Sequence, residues 1–371
     1  EHPSNAGVTD YASRYWSVTD SEVGNGTYAY LPMSLTYSTV ATSDVNGSTA
    51  LYKVNRFDGA SWSQFNSTLS APTVTTSVSN TNVTGTLGSN DFAIRFNPQQ
   101  TYEWIATTGT ASWTDPLSWN PSRFSPQAND VLLFNQGGTS TANGIPTETI
   151  AQILFSNNTN TTFVPLGTNT LSLNGATFTN NLVVASGSTL TLENGLTFNY
   201  ITTASQRGSI SGTINVNTGS TYNTSSIATT IVTLNSGGIV NNNGGTFTTS
   251  NGTFVFAASS NYNHNITAGT IPTATWNTTS TVNILSPASG TLGGLAQTFG
   301  NFVLNTGAAV VTTMGSSITG IAGNLDLNSG VWNDNNFTVT GNAAGLFTLG
   351  TNGTYTSIRT ATPWLPTAFI T

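Results

Sequence analysis

Cysteine is absent from this chain of 371 residues, which excludes disulfides, thiolate catalysis and thiolate zinc sites. Charge is nearly as scarce. Asp, Glu, Lys and Arg make up 6% of the residues, against roughly a quarter in an ordinary soluble domain. From Thr149 to Leu325 only Glu193 and Arg207 carry a formal charge, and His264 is the one histidine. A stretch so poor in titratable groups does not readily assemble acid–base pairs or a metal site. The whole chain has a single lysine, Lys53, and a formal net charge of −7. No basic stripe is available to neutralise phosphates, which excludes nucleic acid as a partner, and an anionic membrane surface would repel the chain. No apolar run approaches the roughly 18–20 residues of a spanning helix, so membrane insertion is not expected. No basic segment followed by an apolar one opens the chain, and Glu1-His2-Pro3 reads as a mature or excised terminus. Helical periodicity is missing too, because Gly and Asn interrupt every candidate window.

What remains is Thr, Asn, Ser and Gly alternating with short apolar residues. Hydrophobic residues at 37% and aromatic residues at 10% are too many for a disordered chain. Thr supplies polarity in a β-branched form that suits a pleated, half-buried surface. The composition predicts an all-β protein.

Residues 1–98 carry most of the charge. Candidate strands alternate at 14–18, 33–37, 51–57 and 92–96, separated by the turn dipeptides Asn25-Gly26, Asn46-Gly47 and Asp58-Gly59. This spacing predicts an N-terminal β-sandwich. Residues 99–130 hold Trp104, Trp113, Pro116, Trp119, Pro121, Phe124 and Pro126 and read as a cap and linker, because the end of a stacked β structure must be covered. From 131 to 371 the alternation repeats, as in Thr189-Leu190-Thr191-Leu192, Gly212-Thr213-Ile214-Asn215-Val216 and Ile231-Val232-Thr233-Leu234. Strand starts recur every eight to ten residues in many places, so three strands with their turns make a coil of about 20–30 residues. The expected fold is a right-handed parallel β-helix (β-solenoid) with aliphatic residues inside and Thr, Ser and Asn outside. Asn ladders at the turns would add side-chain hydrogen bonds between coils. The tail from Pro363 to Thr371 is apolar and suited either to cover the last coil or to meet a neighbouring unit.

Three local patterns carry a resemblance. Trp113-(x)5-Trp119-Asn120-Pro121 with Pro126 and Asn129-Asp130-Val131 resembles the opening of solenoid modules in secreted surface proteins of the Bacteroidota. The block Tyr262-Asn263-His264-Asn265, Gly269 to Trp276 and Ser280-Thr281-Val282 is similar to a recurring block of the same proteins, as is the run through Leu295, Gln297, Phe299, Asn301 and Phe302. Leu35-Thr36-Tyr37 and Phe57 to Trp62 look like their accompanying β-sandwich. The resemblance implies type IX secretion cargo, an extracellular or cell-surface location, and giant adhesins or surface fibres. It carries no catalytic residues. The C-terminal sorting domain of full-length members does not occur in this sequence.

Candidate sites are few. His264 could serve as a base or ligand, but no Asp or Glu lies within 60 residues of it in sequence, and packing in a turn or against Tyr262 is the favoured role. Glu193, Asp326 and Asp334 are the carboxylates available for carbohydrate cleavage, which needs two positioned together. Asp44, Asp58 and Asp91 are oxygen donors of the kind calcium takes, yet no D-x-[DN]-x-[DN]-G loop occurs, so neither metal nor cofactor is expected. Trp62, Trp276, Trp332 and Trp364 are candidates for stacking on sugar rings, weighed against core packing. Thr189-Leu190-Thr191 and Thr246-Phe247-Thr248 are isolated T-x-T pairs rather than a regular array. Trp364, Phe369 and Ile370 are the candidate assembly residues. The expected function is a non-enzymatic extracellular structural or adhesive protein, a fibre subunit or segment, partnered by head-to-tail copies of itself or by cell-surface glycans and matrix. The alternative is a carbohydrate-binding or carbohydrate-cleaving β-helix module.

Overall fold

The computed structural model describes residues 11–18, 28–30, 34–37, 44–46, 52–57, 62–64, 67–70, 72–76, 80–83 and 90–95 of the N-terminal region. It further describes residues 100–369 apart from 124–125, 176–177, 201–206, 225–228, 250–251 and 361–364. The chain divides into two units, residues 1–100 and 101–371. Among the described residues helical structure is limited to one 3-10 turn, Pro116–Ser118, as the broken helical periodicity requires.

The first unit contains a five-stranded antiparallel sheet in the order Val45–Asn46, Tyr11–Val18, Asn90–Arg95, Lys53–Phe57 and Trp62–Gln64. A second antiparallel sheet runs Ser34–Thr36, Thr73–Thr76, Ser67–Ser70, and a further pair joins Tyr28–Tyr30 to Asn80–Val83. Val54, Phe92 and Ile94 from the larger sheet form one buried cluster with Leu35 and Val74 from the smaller. Period-2 alternation turns those side chains inward together. Tyr37 and Tyr52 complete the core edge to face at 5.3 Å.

The second unit is a parallel β-solenoid of about nine turns over residues 131–356. Three sheets run along the stack, and the middle coils contribute a strand to each. The first sheet stacks eight parallel strands from Thr101–Trp104 to Thr275–Trp276. The second begins at Thr108–Ser112 and runs through Thr189–Leu192, Thr213–Asn217, Ile239–Asn243 and Asn261–His264 to Leu325–Asn333. The third holds five strands from Glu148–Ile150 to Thr246–Thr248. Later in the chain Leu325–Asn333 pairs both with Asn301–Asn305 and with Val311–Met314, so a single strand rounds a corner.

Register shows why this sequence coils. Leu132 pairs with Ile153, Ile153 with Leu182, Leu182 with Gly208, Gly208 with Val232, and Val232 with Phe254. Like stacks on like at intervals within the predicted coil length, and Leu190, Ile214, Val232 and Val240 are buried to within 1%. Each buried Leu, Ile or Val of this kind contributes about 1.5–3 kcal/mol. Gly208 is the gap in its column, and the gap is occupied. A Cβ there would lie 2.7 Å from the hydroxyl of Tyr200, which is shared with Tyr222 at 2.9 Å.

The described strands within the 99–130 segment belong to the solenoid sheets. Thr101–Trp104 and Thr108–Ser112 pair in parallel with the next coil, and Trp119–Asn120 closes the first sheet antiparallel to Thr101–Trp104. Trp104, Trp113 and Trp119 pack on one another and on Phe134 at centroid distances of 4.9–6.5 Å, covering the N-terminal end of the apolar interior. At the other end Phe347–Thr356 pairs with Leu325–Asn333. Thr367 bridges Thr340, and Phe369 packs on Phe347 at 6.3 Å, so the described tail lies over the last coil.

Candidate functional site

The second sheet places Asn at the same outward position in coil after coil. Asn215 donates to Thr191 Oγ1 (2.9 Å), Asn241 to Asn215 (2.7 Å), Asn263 to Asn241 (2.7 Å) and Asn283 to Asn263 (2.8 Å). Two residues along the same strands a second ladder runs beside it. Asn217 donates to the Glu193 carboxylate (2.8 Å), Asn243 to Asn217 (3.1 Å) and Asn265 to Asn243 (3.3 Å). Every bond has the same sense, from Nδ2 of the later coil to a side-chain oxygen of the earlier, so the amide dipoles add. Glu193 sits at the donor end, where a negative charge is best accommodated and the bond is charge-assisted. Asn at turns does bond the neighbouring coil, as Asn157 to the Asn135 carbonyl (2.9 Å) and Asn235 to Ser211 Oγ (3.0 Å), but the continuous ladders run along the strands and their ends, because parallel in-register stacking superposes equivalent positions coil by coil. Asn215-Val216-Asn217, Asn241-Asn242-Asn243 and Asn263-His264-Asn265 are the sequence signal that would have found them, an N-x-N recurring once per coil.

Between the two ladders the middle residue points inward. Val216, Asn242, His264 and Ile284 form one column, so a polar pair interrupts an aliphatic stack. His264 is fully buried. Its Nε2–H donates to the Ala268 carbonyl at 2.7 Å, which leaves Nδ1 to accept from the Tyr262 hydroxyl at 3.3 Å. That hydroxyl in turn accepts from Asn242 Nδ2 at 3.1 Å. Burial holds the imidazole pKa below its ordinary value and pushes the Tyr262 phenol up. His264 also lines a narrow recess with Ile266, Ala268, Leu292 and Thr312. The described lining of the recess holds no carboxylate or second imidazole, and His264 ends its strand as a packed side chain against Tyr262 that donates to a backbone carbonyl, not as a turn residue.

The remaining candidates are dispersed. Asp326 is half-buried on the outward side of Leu325–Asn333, whereas Asp334 is buried just beyond the end of that strand. The strand's length separates them. Asp334 closes the following turn, accepting from Asn336 N–H (3.1 Å) and the Tyr355 hydroxyl (3.2 Å). Thr189 and Thr191 lie in the second sheet and Thr246 and Thr248 in the third, so the two T-x-T pairs share no face. Asp44 is buried; Asp58 and the side chain of Asp91 lie outside the described residues. Among the described residues no group of three His, Cys, Asp or Glu could hold a metal ion.

Two of the stacking candidates need correction. Trp332 is fully buried, and Trp276 is 8% exposed, stacked on Phe256 at 3.9 Å, its indole N–H donating to Gln297 at 2.9 Å. A large ring at an inward position gains more from the interior than from solvent, so neither offers a face to a sugar. Trp364, Ile370 and the side chain of Trp62 lie outside the described residues, and Phe369 is engaged within its own chain.

Arg123 went unnoticed in the sequence. It is buried in the cap, its Nε donating to Asp130 at 2.9 Å. Its Nη2 lies 2.9 Å from Asp130 and 3.0 Å from Glu148, pairing distances at angles poorer than those of hydrogen bonds. The guanidinium also lies 5.5–6.0 Å from the ring centres of Tyr102, Trp113 and Trp119. Burial raises the Asp130 pKa to about 6, more than Arg123 lowers it.

Fold and surface define the class: a parallel β-solenoid protein whose second sheet carries paired amide ladders. No family model matches the chain, and no match was found among curated proteins or solved structures.

Proposed function

We propose that this is a non-enzymatic structural or adhesive protein of the cell surface, a subunit or segment of an extracellular fibre. One observation carries the reading. The coils are joined along the long axis by parallel backbone ladders and, on the second sheet, by two rows of side-chain amides bonded in the same direction. Such a stack bears load through many equivalent bonds, and its neutral hydroxyl and amide faces respond little to salt. The resemblance to secreted Bacteroidota surface proteins points the same way and would make type IX secretion the export route. Self-association head to tail follows from heterologous contacts that need not close.

Electron microscopy of native material tests this: fibres or a surface layer are expected, and dispersed monomers would overturn it. Deleting residues 363–371 is expected to abolish end-to-end assembly. Incubation with polysaccharides should yield no new reducing or unsaturated ends; their appearance would replace this reading with a carbohydrate-cleaving one.

A further inference from the structure

We infer that the outward face of the second sheet binds an extended neutral polysaccharide along the solenoid axis. The proposal deepens the adhesive reading by naming the partner. Three outward positions repeat on this face. The two ladders fill the second and third over the middle coils, and Thr189, Thr213, Ile239, Asn261 and Thr281 lie in register in the first. Neighbouring coils are spaced by about 4.8 Å, and positions two apart on a strand by about 7 Å. The face is therefore a lattice of amides and hydroxyls, interrupted in the first row by the half-buried Ile239.

The hydrogen-bond inventory of the ladder identifies the partner. An Asn amide has two donor hydrogens and two acceptor positions. Asn215, Asn241 and Asn263 each use one donor and one acceptor on neighbours in the ladder. One N–H and one carbonyl lone pair per coil are left over by the ladder on these half-buried outward side chains, always in the same order. A group that both accepts and donates at short, regular intervals along a chain complements that row, and this is the chemistry of sugar hydroxyls. Charge selects further: Glu193 is the single formal charge in the ladders, and an overall charge of −7 disfavours an acidic polymer. The amides are already held in place by their neighbours, so binding need not order them, and little side-chain entropy is lost. Aromatic stacking, the usual glycan contact, is not the mechanism, because Trp276 and Trp332 lie within the core.

Co-sedimentation of the whole chain with insoluble cellulose, chitin and neutral β-glucan, and affinity electrophoresis in soluble xylan and acidic alginate, test the inference. Retention on at least one neutral polymer and none on alginate is expected. Substituting Asn215→Ala, Asn241→Ala and Asn263→Ala together should weaken retention by about tenfold or more. Thr281→Arg leaves the ladder intact but sets a long side chain on the same face, and should do likewise. Thr233→Arg, outward on the first sheet, should change nothing. Absence of retention on every neutral polymer, equal retention on alginate, an unaffected Thr281→Arg, or equal loss with Thr233→Arg would each overturn the proposal. If fibres persist while retention fails, the face is wrong and the structural reading stands.

Discussion

At the scale of single residues, His264 is the most informative side chain. Its neighbours accept a neutral imidazole: Ala268 takes the Nε2 proton and Tyr262 offers one to Nδ1. A second proton has no carboxylate to meet. The unfolded chain takes that proton near pH 6.5, while burial lowers the folded value. The contribution of the neutral histidine is thus full above about pH 6.5 and is lost as pH falls towards the lowered folded value. His264 therefore contributes a fall in melting temperature on acidification below about pH 6.5, and comparing melts of the parent with His264→Leu between pH 7 and 5 should show that contribution removed, even if the substitution lowers stability at pH 7. Asp130 acts with the opposite sign. Its folded pKa of about 6 exceeds the unfolded value near 4, so its contribution is full below about pH 4 and declines as pH rises to about 6. Thermal melts of Asp130→Asn across that window should show the decline removed.

At the scale of elements, the ladder and the turns set the local stability. Asn241→Ala removes two amide bonds at once and leaves Asn215 and Asn263 without their shared partner. At about 0.5–1.5 kcal/mol net for each hydrogen bond, the cost is about 1–3 kcal/mol. Because solenoid coils interact chiefly with their neighbours, hydrogen exchange should speed up around Thr213–Asn217, Ile239–Asn243 and Asn261–His264 and stay unchanged in the cap. Turns are less tolerant. A Cβ on Gly212 would lie 2.3 Å from the Ser188 carbonyl oxygen and 2.4 Å from that of Ala185. Both are backbone atoms and cannot swing away, so Gly212→Ala should cost about 3 kcal/mol or more, read from urea denaturation. In the cap, Arg123→Ala strands Asp130 and Glu148 in an apolar site and removes the cation from three aromatic faces. Breaking a buried pair from one side costs about 3–5 kcal/mol, so fraying should start at the N-terminal coil.

At the scale of the molecule, stability rests on burial and neutral hydrogen bonds. A protein with 6% charged residues has few interactions for salt to screen, so raising ionic strength from about 0.1 M to 1 M should leave its melting temperature nearly unchanged. A large loss in salt would show that ion pairs carry more than the buried cluster around Arg123. The two ends of the solenoid differ in kind. Three tryptophans and an antiparallel strand close the N-terminal end, whereas the last coil exposes Leu346, Leu349, Ile358 and Leu365 by 47–59%. Equivalent positions one coil earlier, such as Leu327, are fully buried, so apolar side chains are left partly uncovered at this end.

Period-two alternation was enough to read the fold from the residues alone. Thr189-Leu190-Thr191-Leu192 admits one burial pattern on a half-buried strand, and the scarcity of charge removed the competing classes. The N-terminal sandwich followed from its alternating segments for the same reason; the turn dipeptides Asn25-Gly26 and Asp58-Gly59, and Gly47, lie outside the described residues. Tertiary structure decided what depends on superposition between coils. That Asn215, Asn241, Asn263 and Asn283 form one row is a property of register, and coils of unequal length hide it from a fixed period. Trp276 and Trp332 carry no local mark of their inward direction, which the corners upstream determine. Arg123 lies seven residues before Asp130 and twenty-five before Glu148, and only the closing of the first coil brings these charges into one dry pocket. Side-chain direction along a strand is a local matter of backbone sterics, whereas the neighbour above or below is chosen by the length of the loop between.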